Sequence, residues 1–419
     1  MNSKRKYQKT IILMAVTLIC TTIGTLFFWN LTKAEESKTL VLPPKENELW
    51  NPVLSKTVVT GVKTFKMIPN KILGYLEENN ILLRNPMDKR IPEPIRNRKL
   101  CIYDAYNDGY KDLFLSDDSR IEGAAVVGIS PDRTKLLISD KILGILLSDK
   151  DYIFEPSEKE NNCELYIYDL ATDSSYKITE FLLRYAKTFN GVGWSDDGGY
   201  ITYCLKRDEE KTYDFFVYDI AEKKTEKYTL SEEADKYSYI DLPKYSKEGQ
   251  CIFFIGGGNS GSKLYKIDLT EEIPKVEWLA DDVAFYNVLK DEKNIVFLNS
   301  LREPRTLKRG VYFLDIETKE IKTLSEYQTK NHSGYDISPD GNRIVYFYDC
   351  EGSIDVKVAT LSGKGIKDST TIYKMVNNPS DIWWRVLWNG NGTKVLLSSN
   401  KSMESSDELE NYIIELEYK

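Results

Sequence analysis

One short pattern recurs seven times along this chain and constrains its fold more than any other feature. Each copy has a turn rich in Ser, Pro, Asp, Asn or Gly, an apolar strand, a second apolar strand that usually ends in an acid, and a polar hairpin. The turns lie at residues 67–70, 129–132, 194–198, 245–249, 289–292, 337–341 and 388–392. Their spacing of about 45 to 65 residues is that of four-stranded propeller blades rather than of helical solenoids. The sequence therefore predicts an all-β propeller that forms one domain over residues 59–419.

The strands expected in each copy are short runs of β-branched and aromatic residues. Second strands such as Tyr200–Tyr203 and third strands such as Leu165–Asp169 and Phe215–Asp219 are bounded by turn residues. Runs of this kind are typical of β-strands. The acid that ends the third strand can accept hydrogen bonds from N–H groups of the following turn. We therefore assign that acid to structure rather than to catalysis.

The seventh copy has no fourth strand after its third strand, which ends the sequence. An uncovered strand edge invites aggregation, so another segment is expected to pair with it. Residues 38–42, with the sequence KTLVL, resemble a fourth strand. We predict that they close the ring by pairing beside the C-terminal strand.

The Ser-Pro-Asp turns resemble a known repeat. Pro131-Asp132 and Pro339-Asp340-Gly341 are similar to the turns of the TolB-like (WD40-like) β-propeller repeat, which also occurs in propellers of the prolyl oligopeptidase family. The resemblance covers roughly residues 60–419 and implies a propeller but no particular activity, since propellers host many functions. TolB has an additional α/β domain that this sequence does not show, so its partners are not carried over. Seven blades are predicted, with six as the alternative, because the first turn at Pro69 is the weakest.

The first 35 residues differ in composition from the rest of the chain. Residues 1–10 are basic, and residues 11–31 form an uncharged apolar run that is long enough to cross a bilayer, which takes about 20 residues. The basic flank precedes this run, so the positive-inside rule places the N-terminus in the cytoplasm and the propeller outside the cell membrane. We predict a single-pass signal-anchor at 11–31, or a signal peptide whose cleavage would release a secreted protein. Residues 32–58 are then a linker that contains the ring-closing strand.

Charge and residue usage disfavour several classes of function. A net charge of −8 argues against a nucleic-acid surface, which needs clustered Lys and Arg. His332 is the only histidine and no Cys-x-x-Cys occurs, so neither a Cys/His metal site nor the Ser-His-Asp machinery of a peptidase is expected. No cofactor is expected either. The Gly-rich segment 256–263 lies between two strands and is predicted to be a hairpin loop rather than a phosphate loop. Five cysteines beyond the N-terminal run are interpreted as buried thiols: Cys101, Cys163, Cys204, Cys251 and Cys350.

The sidedness of a propeller separates its tight turns from its long loops. The turns between first and second strands lie on one face, whereas the variable loops between second and third strands and the links between blades lie on the other. Variable loops on a rigid scaffold are where binding is usually found, and aromatic residues and Arg are favoured in recognition. Candidate ligand-binding residues on that face are Trp383, Trp384, Arg184, Tyr185, Tyr152 and Phe154. The alternative for the two tryptophans is that they begin an inner strand and pack between blades.

These observations favour a membrane-tethered extracytoplasmic propeller that acts as a non-catalytic binding or scaffold module. Its expected partner is a protein, a peptide or a cell-envelope polymer. The alternative is a carbohydrate-active hydrolase or lyase that uses carboxylates at the mouth of the central channel. Paired acids such as Asp117-Asp118 and Asp281-Asp282 would be candidates for acid and base, although an acidic loop surface also explains them.

Overall fold

Seven antiparallel sheets make up the computed structural model of this protein. It describes residues 40–42, 57–67, 72–85, 99–113, 125–139, 162–182, 189–207, 212–230, 237, 239–258, 261–271, 274–299, 308–327, 334–350, 353–376, 383–400 and 409–418. Each sheet is one propeller blade. Within a blade the chain runs from the innermost strand outwards, and in two blades a strand from the N-terminal part of the chain is added at the outer edge. The predicted all-β class and the seven-bladed count are confirmed. The predicted N-terminal helix lies outside the described residues, among which no helix is long and apolar enough to cross a membrane.

The first five blades are each built from four consecutive strands. Blades 1 and 2 contain β3 (Ile72–Tyr75), β4 (Asn80–Asn85), β5 (Lys99–Asp104), β6 (Gly109–Asp112), β7 (Ala125–Ile129), β8 (Lys135–Ser139), β9 (Asn162–Asp169) and β10 (Ser174–Leu182). Blades 3 and 4 contain β11 (Phe189–Trp194), β12 (Tyr200–Arg207), β13 (Thr212–Asp219), β14 (Lys224–Leu230), β15 (Tyr239–Ser246), β16 (Cys251–Gly258), β17 (Gly261–Asp268) and β18 (Lys275–Asp281). Blade 5 contains β19 (Val283–Val288), β20 (Asn294–Asn299), β21 (Gly310–Asp315) and β22 (Ile321–Glu326).

The last two blades each receive a strand from the N-terminal part of the chain. Blade 6 contains β23 (Tyr335–Ile337), β24 (Arg343–Cys350), β25 (Ser353–Ser362) and β26 (Gly365–Val376), and β1 (Leu40–Leu42) pairs with β26 as a fifth strand. Blade 7 contains β27 (Trp383–Trp388), β28 (Lys394–Asn400) and β29 (Leu409–Tyr418), and β2 (Thr57–Met67) is its outermost strand. Blade 7 thus joins the two ends of the described chain.

The ring is closed by β2 and not by the predicted segment 38–42. Strand β2 forms ten residue pairs with β29, from Thr57 opposite Tyr418 to Met67 opposite Leu409, whereas β1 forms three pairs with β26. The longer strand satisfies more backbone N–H and C=O groups on the exposed edge. Short runs such as KTLVL carry too little information to specify a partner, so the sequence placed this strand one blade away from its observed position.

The first turn also lies elsewhere than predicted. Residues that were expected to form it, around Pro69, follow the end of β2, and the turn between β3 and β4 is formed by residues 76–80. There the N–H of Leu76 donates to the carbonyl of Asn80 over 2.7 Å, and Glu78 has a φ of 52°. This turn has neither Ser, Pro nor Gly, which explains why the pattern missed it. The blade count was right because the misplaced turn still lay beside the correct blade.

The hydrophobic core lies between the blades. At the interface of blades 1 and 2, Leu82 and Leu100 pack with Leu136 and Ile138, and all four side chains are buried. Similar clusters fill the other interfaces. Burial of each such side chain contributes about 1.5 to 3 kcal/mol. Three of the predicted buried thiols, Cys101, Cys204 and Cys251, are confirmed as buried, Cys350 is half-buried, and the side chain of Cys163 lies outside the described residues.

Close packing at the centre depends on small residues in the inner strands. A Cβ atom added to Gly193 of β11 would lie 2.4 Å from the carbonyl oxygen of Pro243 on the next blade. A Cβ atom added to Gly128 of β7 would lie 3.1 Å from the ring of Trp194. Larger residues at these two positions would push neighbouring inner strands apart. The inner strands consequently approach one another closely around the central channel.

Candidate binding site in the central channel

Of the six predicted binding residues, the structure describes the side chain of one. Trp384 on β27 is buried between blades, with its ring 6.2 Å from that of Tyr412, so its side chain belongs to the core. Trp383 also lies on β27, but its side chain is outside the described residues. The other four candidates, Arg184, Tyr185, Tyr152 and Phe154, lie outside the described residues altogether, as do most of the long loops on their face of the propeller.

The repeated turn acids are structural, as predicted. In blade 6 the hydroxyl of Ser338 accepts the N–H of Arg343 over 2.9 Å and donates to the Asp340 carboxylate, which also accepts the N–H of Asn342. The acid at the end of the third strand behaves in the same way, because Asp169 accepts the N–H groups of Ala171 and Thr172 over 3.0 Å. These acids therefore stabilise turns and are not available for chemistry.

A different residue of the second turn reaches across the channel. Arg133, next to the turn acid of blade 2, donates through one terminal nitrogen to both carboxylate oxygens of Asp336 on the inner strand of blade 6, at 3.1 and 2.9 Å. Asp336 also accepts the N–H of Trp388 from blade 7 over 2.7 Å. Burial raises the pKa of Asp336, against the opposing effect of Arg133. Blades 2 and 6 are not neighbours, so their side chains can meet only near the axis.

A second ionic cluster starts from the turn of blade 3. The carboxylate of Asp196 accepts the ammonium group of Lys244 over 2.8 Å, the side-chain amide of Asn287 over 2.8 Å and the N–H of Val288 over 2.8 Å. Lys244 is 7% exposed and also donates to the carbonyl of Tyr286. This cluster joins blades 3, 4 and 5 at the same end of the channel.

The turns themselves also crowd together at this end of the axis. Gly390, in the turn of blade 7, donates its N–H to the carbonyl of Leu76 in blade 1 over 3.0 Å. A Cβ atom on Gly390 would lie 2.9 Å from Glu77 and 3.2 Å from the carbonyl oxygen of Asp132 in blade 2. Together with the two ionic clusters, these contacts narrow the channel on the face that carries the turns. We call this face the turn face, and the opposite face, which carries the loops between second and third strands, the loop face.

Above the ionic clusters, the channel wall carries an aromatic residue, a glycine and an arginine side by side. Phe285 of β19 and Arg385 of β27 each form the fourth residue pair above their turns, opposite Leu298 and Ser398. In the blade between them, Gly334 precedes Tyr335 of β23, and a Cβ atom on Gly334 would meet no atom of the described residues within 4 Å. Both Phe285 and Arg385 are exposed although they lie on innermost strands, so their exposure is to the channel.

Arg385 has an unusual electrostatic environment. Its guanidinium makes one long hydrogen bond, 3.5 Å to the carbonyl of Ile72, and no ion pair with the described carboxylates. Loss of hydration inside the protein channel lowers its pKa, the nearby Arg133 lowers it further, and Asp336 opposes both effects. Because Asp336 is already held by Arg133, it compensates Arg385 only in part. An arginine of this kind gains stability when an anion approaches it.

One carboxylate in the channel has no cationic partner among the described residues. Asp241, on the inner strand of blade 4, accepts only the N–H of Leu242, over 2.8 Å. Burial raises its pKa, and the Leu242 N–H opposes this. Strand β15 is bulged at this point, because Asp241 pairs with Ile255 whereas Lys244 pairs with Phe253. Bulges often re-aim a side chain beside a functional site.

The acids considered for a carbohydrate-active enzyme have other contacts. Asp281 pairs with Lys263 over 2.9 Å and accepts the indole N–H of Trp278 over 3.2 Å, and Asp282 is buried. Asp117-Asp118 and His332 lie outside the described residues. Among the described residues there is no group of three or more side chains that could hold a metal ion. The Gly-rich segment forms a hairpin between β16 and β17, with Gly258 opposite Gly261, as predicted.

Sequence reasoning missed the residues that line and close the channel. Their signal is a departure from the turn pattern: Asp196 stands where the other turns have Pro131 and Pro339, and Arg133 stands where the sixth turn has Gly341. Arg385 has no comparable signal, since it is one polar residue in the apolar run WWRVLW. Its exposure depends on the arrangement of all seven blades.

Comparison with known proteins identifies relatives in fold. No family model matches the chain, and no curated protein matches it. One similar solved structure is TolB from Acinetobacter baumannii, at 16% identity over 74% of this chain and 65% of that one, slightly less than two thirds of its length, with a TM-score of 0.41. The β-propeller domain of the Trilobed protease from Pyrococcus furiosus is 14% identical over 83% of this chain and 97% of that one, with a TM-score of 0.47. Oligogalacturonate lyase in complex with manganese is 14% identical over 70% and 77%, with a TM-score of 0.44.

The seven-bladed fold is established by the order of strands in the sheets, and a fold by itself does not specify an activity. The resemblance that the Ser-Pro-Asp turns indicated is confirmed at the level of architecture. In fold, this chain is similar to TolB and related β-propellers.

Proposed function

We propose that this protein is a membrane-tethered extracytoplasmic binding module without catalytic activity of its own, whose ligand enters the central channel from the loop face. The partner is a protein, and the propeller serves as its receptor or scaffold. The N-terminal apolar run at 11–31 supports the tether, because it follows a basic flank.

The narrowing of the channel at the turn face is the observation that supports this proposal. Arg133 and Asp196 cross from their own blades to inner strands on other blades, where both are engaged in ion pairs. Both pairs are partly shielded from solvent, so separating either one costs free energy and the contacts favour a narrow channel at this end. A ligand therefore reaches the channel wall at Phe285 and Arg385 from the opposite side.

Capture of a partner in the native membrane tests this function. Full-length tagged protein is cross-linked in its own cells, and the recovered partners are identified by mass spectrometry. The expected result is a specific protein whose recovery falls at least tenfold when Tyr152, Phe154 and Arg184, which the sequence pattern assigns to the loop face, are together replaced by Ala, Ala and Glu. Charge reversal of the exposed turn residues Glu222 and Lys224 is the matched control. If the control variant loses the partner while the loop-face variant recovers it fully, the partner does not bind at the loop face and the proposal is wrong.

A hydrolase or lyase remains the second candidate because Asp241 lines the channel with a raised pKa and no cationic partner among the described residues. A general acid needs a raised pKa of this kind. Incubation of the full-length protein with a panel of neutral and acidic glycans is expected to give no cleavage. Turnover that is abolished by Asp241→Asn would overturn the binding-only proposal.

A further inference from the structure

The strip of channel wall formed by Phe285, Gly334 and Arg385 combines three features that one ligand group can use together. Arg385 supplies a cation with one weak hydrogen bond, Gly334 leaves open space beside it, and Phe285 supplies an exposed aromatic ring. The ring of Phe285 lies 5.8 Å from that of Tyr335, which is buried directly below Gly334. These residues come from three consecutive blades, so the packing of neighbouring blades brings them together.

We propose that this strip is a subsite for the C-terminal carboxylate of a peptide, which Arg385 binds while the last side chain packs against Phe285. The inference rests on the proposed function, because it takes the ligand to enter from the loop face. A guanidinium binds a carboxylate through a two-pronged hydrogen bond, which is both stronger and more selective than a contact with a carbonyl.

Among the residues that the structure describes, the charges near this wall favour one carboxylate rather than several. Arg133, Arg385 and Lys244 face the three acids Asp336, Asp196 and Asp241. Arg133 is paired with Asp336 and Lys244 with Asp196, so Arg385 is the cation that can bind the ligand. Asp241 would repel a second anion. A polymer with an acid on every unit would meet that repulsion, whereas a peptide end brings a single carboxylate.

The carboxylate of Asp241 also suits a peptide ligand. Among the described residues, the carboxylate of Asp241 accepts a hydrogen bond only from the N–H of Leu242. It can therefore accept a further hydrogen bond from a backbone N–H of the bound peptide. The contacts of Arg133 with Asp336 and of Lys244 with Asp196 lie in the path of an extended chain at the turn end of the channel. A ligand that enters end-on and stops there presents its terminus to the wall, which is where Arg385 lies.

Binding of short peptides to the full-length protein in detergent tests this subsite. The probes are N-acetyl-Ala-Ala-Leu with a free carboxylate, the same tripeptide as its C-terminal amide, and glucuronate as an acidic sugar. Affinity is measured by nuclear magnetic resonance titration of the arginine Nε–H signals, with the Arg385 signal assigned from its loss in Arg385→Lys. The free acid is expected to bind at least tenfold more tightly than the amide and than glucuronate.

Variants separate the role of Arg385 from a general loss of structure. Arg385→Gln is expected to weaken binding of the acid at least tenfold, Arg385→Lys to weaken it less because the charge is kept, and Phe285→Ala to weaken it severalfold. Lys224→Gln on the exposed turn of blade 3 is the control and should bind as the wild type does. Thermal melts confirm that each variant is folded, and a misfolded Arg385→Gln leaves the comparison of acid with amide on the wild-type protein decisive.

Three results would overturn the subsite: equal binding of acid and amide, preferred binding of glucuronate, or no binding of any probe. Each is distinguishable from failure of the proposed function. If the partner is still captured in cells by Arg385→Gln while acid and amide bind alike, the binding module stands and the subsite is wrong. If the tripeptide binds as expected but no partner is captured, the subsite stands and the proposed cellular role is wrong.

Discussion

At the scale of single residues, the same turn position can serve structure in one blade and the channel in another. The Ser and Asp of the turns are used alike in blades 2, 3 and 6, where Ser130, Ser195 and Ser338 each accept a backbone N–H five residues ahead. The residues between and after them differ, and two of these, Asp196 and Arg133, close the turn end of the channel. Repetition thus marks structure, and departures from it mark what is particular to this protein.

Replacing Ser338 by Ala should destabilise the propeller. The side chain is 2% exposed and accepts the N–H of Arg343, so its loss leaves a buried donor without a partner. Such a group costs about 1 to 3 kcal/mol. Unfolding in urea measures the change, and Ser174→Ala, at an exposed position in the hairpin of blade 2, is the control and should change stability by less than about 0.5 kcal/mol. Equal stability of the two variants would show that the turn hydroxyl is dispensable.

At the scale of elements, the two N-terminal strands have unequal tasks. Strand β2 covers the last blade along ten residue pairs and joins it to the C-terminal strand, while β1 only widens blade 6 by three pairs. Closure by a strand from the other end of the chain replaces an open edge with paired backbone. The stability of the ring should therefore depend on β2 far more than on β1.

Two truncations of the N-terminus test this difference. A chain that starts at residue 52 lacks β1 and should melt within about 2 °C of the chain that keeps it, because few backbone pairs are lost. A chain that starts at residue 68 lacks β2 as well and should melt at least about 10 °C lower or aggregate, since the edge of β29 is then uncovered. Differential scanning calorimetry of the two chains provides the comparison. A larger loss from removing β1 alone than from the further removal of β2 would refute the assigned closure.

At the scale of the whole molecule, acids repeated around the ring couple stability to pH. A hydrogen bond from the backbone N–H of Thr172 lowers the pKa of Asp169. In the same way, a hydrogen bond from the backbone N–H of Thr318 lowers the pKa of Asp315. Burial raises the pKa of Asp132 and Asp340, but the hydrogen bonds from Ser130 and Ser338 outweigh it together with the bonds from Thr134 and Asn342 and the nearby Lys135 and Arg343, so that both pKa values are lowered. A lowered folded pKa means that the unfolded chain takes up protons first as the pH falls.

The propeller should accordingly lose stability in acid. The contribution of these carboxylates is present above the ordinary aspartate pKa of 3.8 and is lost as the pH falls through their lower folded values. The urea midpoint is expected to be level near neutral pH and to fall steeply below about pH 4. Asp340→Asn should lower the midpoint at pH 7 and converge on the wild type near pH 2. A difference between the two proteins that is independent of pH would mean that the charge of Asp340 is not what stabilises the turn.

The sequence predicted the fold well because a propeller is assembled from local patterns. Turn residues, alternating apolar strands and strand-final acids act within a blade, so each copy can be recognised separately. The alternation of turns and loops also gave the sidedness of the disc. A prediction that depended on partners far apart in the chain was less successful, as the misplaced ring closure shows, and for Trp384 the structure favours the alternative of packing in the core.

By itself, then, the sequence determined an all-β propeller of seven blades, its repeated turns and its two faces. Only the tertiary structure decided that β2 closes the ring, that Arg133 reaches Asp336 over 203 positions of sequence, and that Phe285, Gly334 and Arg385 lie side by side. The physical reason is distance along the chain. Strand and turn formation depend on neighbouring residues, whereas the channel is formed by residues from several blades, which come together only when the blades have packed around the axis.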